Sequence, residues 1–309
     1  MLETMGDILL NYFSIGIKDS KLQWLTGLAI AQLLLVLVVF WPEGSKDAGE
    51  LLFSDRATED IVELRLVNID GEKMNLAKQG DDWAMSDADN FPVSIEKVDP
   101  LITKLLALKT DRIVATTDNS HVRLEVSSEK YKRKIDILWA DDTQDTLLLG
   151  NSAGTGAMHF RLMSADDVYL TSALTAWDAN TTPSRYIDTQ YFALDKDSIE
   201  TIELNNKSGL FVLERNNDKW LYDGLKEGEI FDQSSMDTFL VQVSSIRMVS
   251  PLGNTYNDSY GLNSPQATLS IFTNDEGELQ EHSFTVGSQS GENYIVSASS
   301  SEYLSLIHI

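Results

Sequence analysis

The feature that most constrains the fold of this chain is an internal repeat that spans most of its length. An apolar triad, a tryptophan, a glycine and two aromatic residues recur in the same order, 134 to 138 positions later. The pairs are Ile61 and Ile199, Leu64 and Ile202, Leu66 and Leu204, Trp83 and Trp220, Gly150 and Gly287, Phe160 and Tyr294, and Tyr169 and Tyr303. Because tryptophan is rare in the chain, its recurrence beside the apolar triad indicates a duplication. The sequence therefore predicts a first repeat over residues 57–190 and a second over 191–309.

Each predicted repeat begins with alternating apolar residues, a pattern that is typical of half-buried β-strands. In the first repeat, two such runs flank the turn pair Asp70-Gly71, which suits a tight hairpin, and a third run contains Trp83. The strand-like runs predicted for the first repeat cover residues 61–67, 72–78, 82–85, 122–126, 134–139, 146–149, 158–162 and 168–171.

A helical spacing of apolar residues separates the early strands from the late ones. It covers residues 95–108 behind a capping Ser94, and residues 234–246 match it in the second repeat. One helix laid on an antiparallel sheet is the fold that this order favours for each repeat. The predicted fold class is α+β, with two tandem repeats behind an N-terminal transmembrane helix.

That transmembrane helix is predicted from an uncharged, largely aliphatic segment between Lys21 and Glu43. A membrane span needs ~20 apolar residues, and Trp24 and Trp41 stand near its ends, where indole rings favour the interface. The nearby basic residues are balanced on the two sides, so the charge count leaves the orientation open. The predicted layout is a cytoplasmic segment over 1–21, an uncleaved transmembrane anchor over 22–42 and a tether over 43–56.

The charge balance narrows the possible partners. Lys and Arg number 24 and Asp and Glu 48, which gives a net charge of −24 that would repel phosphate backbones. Nucleic acid is therefore not predicted as a partner. The chain has no cysteine, which excludes disulfides, thiolate nucleophiles and cysteine metal sites.

No candidate for chemistry outweighs a plain structural interpretation. The histidines lack the paired spacing of zinc ligands, and the acidic groups adjoin turns without the spacing of a calcium loop. These candidates are His121, His159, His282, His308, Asp81 with Asp82, Asp141 and Asp142 with Asp145, and Asp166 with Asp167. No catalytic, cofactor-binding or metal-binding residue is predicted, and no cofactor.

Two further motifs are interpreted as structural. The glycine-rich stretch 150–156 lacks the Gly-Lys-Ser/Thr ending of a phosphate loop and leads into a predicted strand, so we expect a hairpin loop there. Trp83 and Trp220 occupy equivalent strand positions, where burial against the helix of each repeat accounts for them. They are predicted to belong to the core.

Several stretches resemble one known family. They are Tyr260-Gly-Leu-Asn-Ser-Pro265, Ala267-Thr-Leu-Ser-Ile271, Val286-Gly287, Tyr294-Ile-Val296, His159-Phe-Arg-Leu162, Asp167-Val-Tyr-Leu-Thr171 and Pro183-Ser-Arg-Tyr-Ile-Asp188. Together with the strand, tryptophan and helix order, they are similar to tandem copies of domain of unknown function 4340, over nearly everything after residue 57. The first repeat departs from this pattern, because it has residues 121–126 in place of the Tyr-Gly-Leu element.

The resemblance implies an extracytoplasmic domain on a single N-terminal anchor in bacteria, in a family associated with ABC-type export systems related to gliding-motility auxiliary proteins. It favours a cytoplasmic N-terminus, with the acidic body in the periplasm beside the inner membrane. The partners implied are the membrane itself and ABC transporter permease or auxiliary subunits.

The leading functional hypothesis is a non-enzymatic interaction module that docks onto a transporter or another envelope component. The alternatives are an enzyme that acts on an envelope polymer through two carboxylates brought together by the fold, and a structural or polysaccharide-binding protein. Residues 304–309 resemble translated adapter sequence, so the native C-terminus is predicted to be missing.

Overall fold

A computed structural model describes residues 20–39, 49–154, 156–217, 219–275 and 277–309. Residues 49–309 form one compact unit, and the N-terminal residues belong to another. The α-helices of the described residues are α1 Ser20–Val39, α2 Ile95–Leu106, α3 Asp118–Leu124 and α4 Gln233–Ser244.

The larger unit consists mostly of β-strands. The strands up to residue 171 are β1 Ile61–Asn68, β2 Lys73–Gln79, β3 Asp82–Met85, β4 Phe91–Val93, β5 Ile113–Ala115, β6 Val126–Ser127, β7 Lys130–Tyr131, β8 Arg133–Trp139, β9 Gln144–Gly154, β10 Ala157–Leu162 and β11 Val168–Thr171. The later strands are β12 Gln190–Ala193, β13 Ile199–Asn206, β14 Gly209–Asn216, β15 Lys219–Tyr222, β16 Ser245–Gly253, β17 Ala267–Asp275, β18 Glu278–Ser290, β19 Asn293–Ala298 and β20 Leu304–His308.

These strands form two nine-stranded antiparallel sheets and the small hairpin β6–β7. The first sheet has the order β4-β3-β2-β1-β8-β9-β10-β11-β5, and the second has the order β12-β16-β20-β19-β18-β17-β13-β14-β15. If β4 and β12 are left out, the two sheets have the same order of equivalent strands. The order β3-β2-β1-β8-β9-β10-β11-β5 in the first sheet corresponds to β15-β14-β13-β17-β18-β19-β20-β16 in the second. We keep the names first repeat and second repeat for the residues of these sheets, 57–190 and 191–309.

The strand registers show which residues of the two repeats are equivalent. Leu66 lies opposite Ile135 in the first sheet, and Leu204 lies opposite Leu269 in the second. Both first strands also carry an irregularity near their start, after Ile61 and after Ile199. The early strands of the two sheets therefore correspond residue by residue.

The late strands correct two of the sequence pairings. Phe160 lies opposite Leu149, and its counterpart by register is Val296, which lies opposite Val286. Tyr294 instead corresponds to Met158. In the same way Tyr169 corresponds to Ser305 rather than to Tyr303. The predicted pairs Phe160 with Tyr294 and Tyr169 with Tyr303 are wrong, because aromatic residues two positions apart on one strand face were matched by type alone.

The helices of the two repeats also correspond. Helices α2 and α4 confirm the two predicted helices, and three of the four buried positions in each match, as Val98 with Met236, Ile102 with Leu240 and Leu105 with Val243. Trp83 and Trp220 are each 2% exposed, as predicted for core residues. A cationic side chain lies over each indole ring, Lys78 over Trp83 and Arg215 over Trp220. One apolar core runs through both repeats.

Residues 122–126, predicted as a strand, are mostly helical instead. Helix α3 ends at Leu124, and Glu125 takes a left-handed conformation with φ 59°. Gly261 has the corresponding position behind the 3-10 turn Asp258–Tyr260, with φ 70°. A Cβ at Gly150 would overlap the carbonyl oxygen of Leu124, and one at Gly287 would overlap that of Tyr260. The Tyr-Gly-Leu element is therefore a packing motif that the first repeat builds with other residues.

The N-terminal part of the predicted fold class requires a correction. No helix in the described parts of the chain is long and apolar enough to cross a membrane. The predicted anchor over residues 22–42 is wrong, and so is the single-pass inner-membrane location that rested on it. In the sequence of α1 the aliphatic part starts at Leu28 and contains Gln32, and residues 28–39 extend roughly 18 Å against the ~30 Å of a hydrocarbon core. Residues 1–19 and 40–48 lie outside the described residues.

The end of the predicted tether is part of the larger unit. Phe53 is buried, and its ring meets that of Trp139 edge to face, with 5.3 Å between the ring centroids. The Arg56 guanidinium lies over the same indole at 4.7 Å. Residues 49–56 thus close one side of the first repeat.

Candidate functional site

The clearest difference between the repeats begins directly after β11. Residues 172–189, which we call the inter-repeat segment, cross the core face of the first repeat instead of continuing the sheet. Leu174, Ala179, Tyr186 and Ile187 of this segment are all buried in the core. Burial of such side chains contributes roughly 1.5–3 kcal/mol for each large apolar group. The segment is therefore an integral part of the first repeat.

Polar contacts fasten the same segment to α2 and to the sheet. Lys104 Nζ lies 2.6 Å from the Asp178 carboxylate, and Arg133 Nε donates to the Ala179 carbonyl at 2.8 Å. The backbone N–H of Ser94 donates to the Tyr186 carbonyl at 2.9 Å. Lys97 donates to the carbonyl of Ile187. Three cationic side chains thus hold three successive parts of the segment.

The ionisation of these groups reflects their burial. Burial alone would raise the pKa of Asp178, but hydrogen bonds from Lys104 and Thr175 outweigh it and lower the pKa below its usual value. Burial lowers the pKa of Arg133 and raises that of Tyr186. The Tyr186 hydroxyl donates to the Asn180 carbonyl at 2.8 Å, which satisfies it inside the core. Asp178 is consequently held as a carboxylate that needs its cationic partner.

The second repeat has an open groove in the corresponding place. The groove has a volume of about 1190 Å³ and lies between the C-terminal half of α4, the start of β16 and the core face of the second sheet. Its apolar lining includes Leu204, Phe239, Ile246, Leu269, Phe284 and Ile307. Leu204 is half-buried there, whereas its counterpart Leu66 is fully buried. We call this cavity the open groove.

Register and helix alignment show that the open groove corresponds to the site of the inter-repeat segment. Lys104 of α2 corresponds to Gln242 of α4, because the buried positions on either side of them match. Arg133 lies opposite Asn68, and Ala267 lies opposite the equivalent Asn206. Gln242 and Ala267 both line the open groove. Two of the three basic residues that hold the segment in the first repeat, Lys104 and Arg133, thus have counterparts that line the open groove in the second.

The electrostatics of the open groove differ from those of the whole chain. No aspartate or glutamate is found among the described residues that line it, although the chain carries 48 acidic residues. Lys207 and Arg247 contribute positive charge, and Arg247 Nη1 also donates to the Thr189 hydroxyl at 3.0 Å. The groove therefore offers an apolar floor with neutral amides and two cations, which suits a polypeptide better than a polyanion or a metal ion.

The four histidines lie apart from one another. His121 is buried, with Nε2 2.7 Å from the Asp166 carbonyl, and His159 Nδ1 lies 2.9 Å from the Asn151 carbonyl. His282 Nε2 lies 3.0 Å from the Thr273 hydroxyl. Of the four, His308 alone lines the open groove. Nowhere in the described ranges do three or more His, Asp or Glu residues form a group that could hold a metal ion.

The carboxylates of the predicted acidic groups lie at turns or accept hydrogen bonds from neighbouring side chains. Asp141 accepts hydrogen bonds from Thr143 and Arg56, which lower its pKa to about 2 and keep it ionised. Asp145 accepts from the Trp139 indole at 2.8 Å, and Asp167 accepts from the Tyr169 hydroxyl at 3.2 Å. Asp81 lies exposed in the turn between β2 and β3, and Asp82 is the exposed first residue of β3. None of these carboxylates lines the open groove.

The glycine-rich stretch forms a hairpin, as predicted. Strand β9 runs through Gly154 and β10 starts at Ala157, while Thr155 is outside the described residues. The chain continues from this turn into strand β10 and not into a helix, whose N-terminus a phosphate loop of this kind would need.

Sequence reasoning missed the open groove, although a signal for it was present. Aligning the two repeats at Ile61 and Ile199, which are 138 positions apart, places Gln242 against Lys104, where a basic residue becomes neutral. That loss of charge is readable from the sequence. The match of Arg133 with Ala267 follows from the strand register. The significance of these changes can be recognised only from the structure, which shows that the inter-repeat segment contacts Lys104 and Arg133.

Comparison with known proteins gives one family. Neither the comparison with curated proteins nor that with solved structures found a match. The family profile described as Domain of unknown function (DUF4340) matches residues 83–265, more than half of the chain. The match runs from β3 across the inter-repeat segment to the residues before β17, so it takes in parts of both repeats. The chain therefore belongs to the family described as Domain of unknown function (DUF4340).

Proposed function

We propose that this protein is a non-enzymatic interaction module whose open groove receives a polypeptide segment of a partner protein. One observation carries the proposal: in the first repeat the equivalent groove is filled by polypeptide, the inter-repeat segment. The two sheets have the same strand order apart from β4 and β12, and in the first of them polypeptide covers the core face. A partner segment of similar size would bury Leu204 and its neighbours as Leu66 is buried.

The chemistry of the open groove differs from that of the equivalent site in the first repeat. In the first repeat Lys104 and Arg133 fasten the segment through charge-assisted hydrogen bonds. In the second repeat Gln242 and Ala267 offer no such bonds, so an occupant would be held mainly by apolar contact. Apolar contact without buried ion pairs is compatible with exchange.

The family resemblance suggests which partner to test first. The stretches around Tyr260, Pro183 and Asp167 resemble a family associated with ABC-type export systems. We therefore propose a permease or auxiliary subunit of such a system as the source of the segment. This part of the proposal rests on the resemblance, and the groove supports only its chemical class.

The enzymatic alternative gains no support from the groove. Hydrolysis of a glycan by paired carboxylates needs two of them about 5–9.5 Å apart in a cleft. The described lining of the open groove has no carboxylate at all. The interaction module is therefore the function that the geometry supports best.

Site-specific photo-crosslinking in cells tests the proposal. A photoreactive phenylalanine derivative is placed at position 249, which lines the groove and is 37% exposed. The matched control carries the same group at position 122, which is 53% exposed on α3, outside the groove. We expect one defined peptide of an export-system subunit to be attached at position 249 and not at 122.

Other outcomes contradict all or part of the proposal. Attachment of the same peptides at both positions, or of none, would contradict docking in the groove. Attachment to a peptide of this chain itself would show that the groove is filled internally. A defined peptide from a protein unrelated to export would keep the interaction module and exclude the export-system partner.

A further inference from the structure

We infer that residues 229–231, which we call the strap, are held off the outer edge of the second sheet and are poised to pair with β15. The inference comes from a comparison of β3 and β15, which are equivalent strands of the two sheets. It does not involve the open groove and is independent of the proposed function. An open sheet edge can pair with a strand of another chain, so closing of the strap would withdraw this edge from such pairing.

The first repeat shows the closed arrangement. There β4 pairs with β3 through three residue pairs, Trp83 with Val93, Ala84 with Pro92 and Met85 with Phe91. Phe91 and Val93 are each 9% exposed, whereas Pro92 between them is exposed on the other face. The Phe91 ring meets that of Tyr303 edge to face, with 4.8 Å between the ring centroids. The first and third positions of such an outer strand therefore take apolar side chains.

The second repeat has the equivalent residues but not the equivalent pairing. The alignment of Val98 with Met236 places the strap at the position of β4. The strap forms no strand, and among the described residues β15 is the last strand of its sheet. Instead, the side-chain amide of Gln233 accepts from the Trp220 N–H at 3.0 Å and donates to the Trp220 carbonyl at 2.7 Å. A side chain thus stands where a strand backbone pairs in the first repeat.

Two features of the strap favour closing. Ile230 is 91% exposed, and Leu221 of β15 is 46% exposed. In the closed arrangement these two side chains would lie opposite each other, as Ala84 and Pro92 do, and contact between apolar side chains on paired strands stabilises a sheet. Phe231, the third residue of the strap, already packs against the core. The strap is therefore suited to an outer strand at two of its three positions.

Glu229, the first residue of the strap, opposes closing. Its carboxylate accepts from the Lys226 N–H at 2.8 Å, and its own N–H donates to the Lys226 carbonyl at 3.0 Å. These two bonds close a turn that keeps Glu229 exposed. In the closed arrangement the carboxylate would take the buried place of Phe91, where an unpaired charge is strongly unfavourable. Glu229 therefore holds the strap open.

Disulfide trapping tests the inference, because the chain has no cysteine of its own. The full chain carries Leu221→Cys and Ile230→Cys, at two positions that lie opposite each other only when the strap is closed. A disulfide needs Cα atoms ~4.4–6.8 Å apart, and its rate of formation under a fixed oxidant is followed by mass spectrometry. We expect Glu229→Phe in this chain to raise the rate at least about tenfold, since the charge no longer has to be buried.

Two controls define the range of this measurement. Glu227→Phe exchanges an exposed carboxylate of the same loop that lies outside the strap, and it should leave the rate unchanged. Ala84→Cys with Pro92→Cys places the same pair of cysteines on β3 and β4, which are already paired, and should form its disulfide rapidly. This second pair is the reference for a closed strand.

Hydrogen exchange gives a second readout in chains without cysteine substitutions. The N–H of Tyr222 points to the same edge as that of Trp220, two residues earlier, and would pair with the closed strap. Its protection should rise at least about tenfold in the Glu229→Phe variant, because pairing removes a backbone N–H from exchange. Protection should stay unchanged in the Glu227→Phe variant.

Three results would overturn the inference. The first is an equal rate of disulfide formation with and without Glu229→Phe. The second is an equal acceleration by Glu227→Phe, because the effect would then not depend on the position equivalent to Phe91. The third is a rate in the chain with Glu229 that already matches the reference pair, which would show that the strap is closed and that Glu229 does not hold it open.

Discussion

The first and second repeats share one strand order apart from β4 and β12, and each packs one equivalent helix on its sheet, yet among the described residues the groove is filled in the first repeat and open in the second. In the first repeat, basic residues of α2 and β8 hold the inter-repeat segment over the core. In the second repeat the same two positions are Gln242 and Ala267. The comparison teaches that one duplicated framework can carry a different set of polar groups at the same place on its core face.

The largest expected effect compares the equivalent leucines Leu66 and Leu204. Leu66→Ala removes a fully buried side chain and should lower the free energy of unfolding by roughly 2–5 kcal/mol. Leu204→Ala should lower it by only ~1 kcal/mol, because that side chain is half-buried and partly solvated already. Urea unfolding of both variants measures the difference. Equal losses would mean that the second groove is not open in solution.

The next effect tests the shared framework. Gly150→Ala and Gly287→Ala each place a Cβ against a carbonyl oxygen, that of Leu124 in one repeat and that of Tyr260 in the other. Because backbone must shift to relieve the overlap, each variant should be destabilised by about 1–3 kcal/mol, and by similar amounts. Thermal or urea unfolding measures the loss of stability in each variant. A large effect in one repeat alone would break the structural equivalence of the two turns.

A smaller effect concerns the fastening of the inter-repeat segment. Lys104→Gln gives the first repeat the residue of the second and removes the ion pair with Asp178, with an expected loss of about 1 kcal/mol. The reciprocal change, Gln242→Lys, should alter stability by less than ~0.5 kcal/mol, because no partner carboxylate lines the groove. If both exchanges cost the same, Lys104 is no more important than any surface lysine.

The smallest effect is a dependence on pH. Hydrogen bonds from Lys104 and Thr175 overcome the effect of burial and lower the pKa of Asp178 in the folded protein. A lowered pKa contributes stability that is complete above the unfolded value of ~3.9 and is lost as the pH falls through the folded value. The protection of residues 172–189 against hydrogen exchange, relative to the intrinsic rate at each pH, should therefore fall in acid. Asp178→Asn should remove this fall in protection, and its persistence in that variant would assign it to another group.

Much of the framework could be predicted from the sequence, because its residues obey simple periodicities. The strand 168–171 and the two amphipathic helices were predicted within a few residues of their bounds. Residues 122–126 were not, since Val122, Leu124 and Val126 alternate like a strand although the first two lie in α3. Over so short a segment, the left-handed Glu125 and the packing over Gly150 decide the conformation, and neither can be read from apolar spacing.

The candidate site could not be predicted, because it is a cavity between secondary-structure elements and contains no sequence motif. Residues such as Gln242 and Ala267 carry no chemistry of their own. They acquire meaning only from Asp178 and Ala179, which are distant in sequence and contact the equivalent positions of the other repeat. Tertiary packing of an irregular segment leaves no periodic signal. The predicted membrane anchor failed for a different reason, since an uncharged run was given more weight than its polar interruptions.

The most direct test of the central claim is hydrogen exchange of the full chain with and without a synthetic peptide that has the sequence of residues 172–189 and carries Asp178→Asn. If the open groove receives polypeptide, added peptide should slow exchange in the strand ends that line it, in β13, β16, β17 and β20, and leave the first sheet unchanged. Unchanged exchange throughout at saturating peptide, or protection confined to the first repeat, would contradict the account.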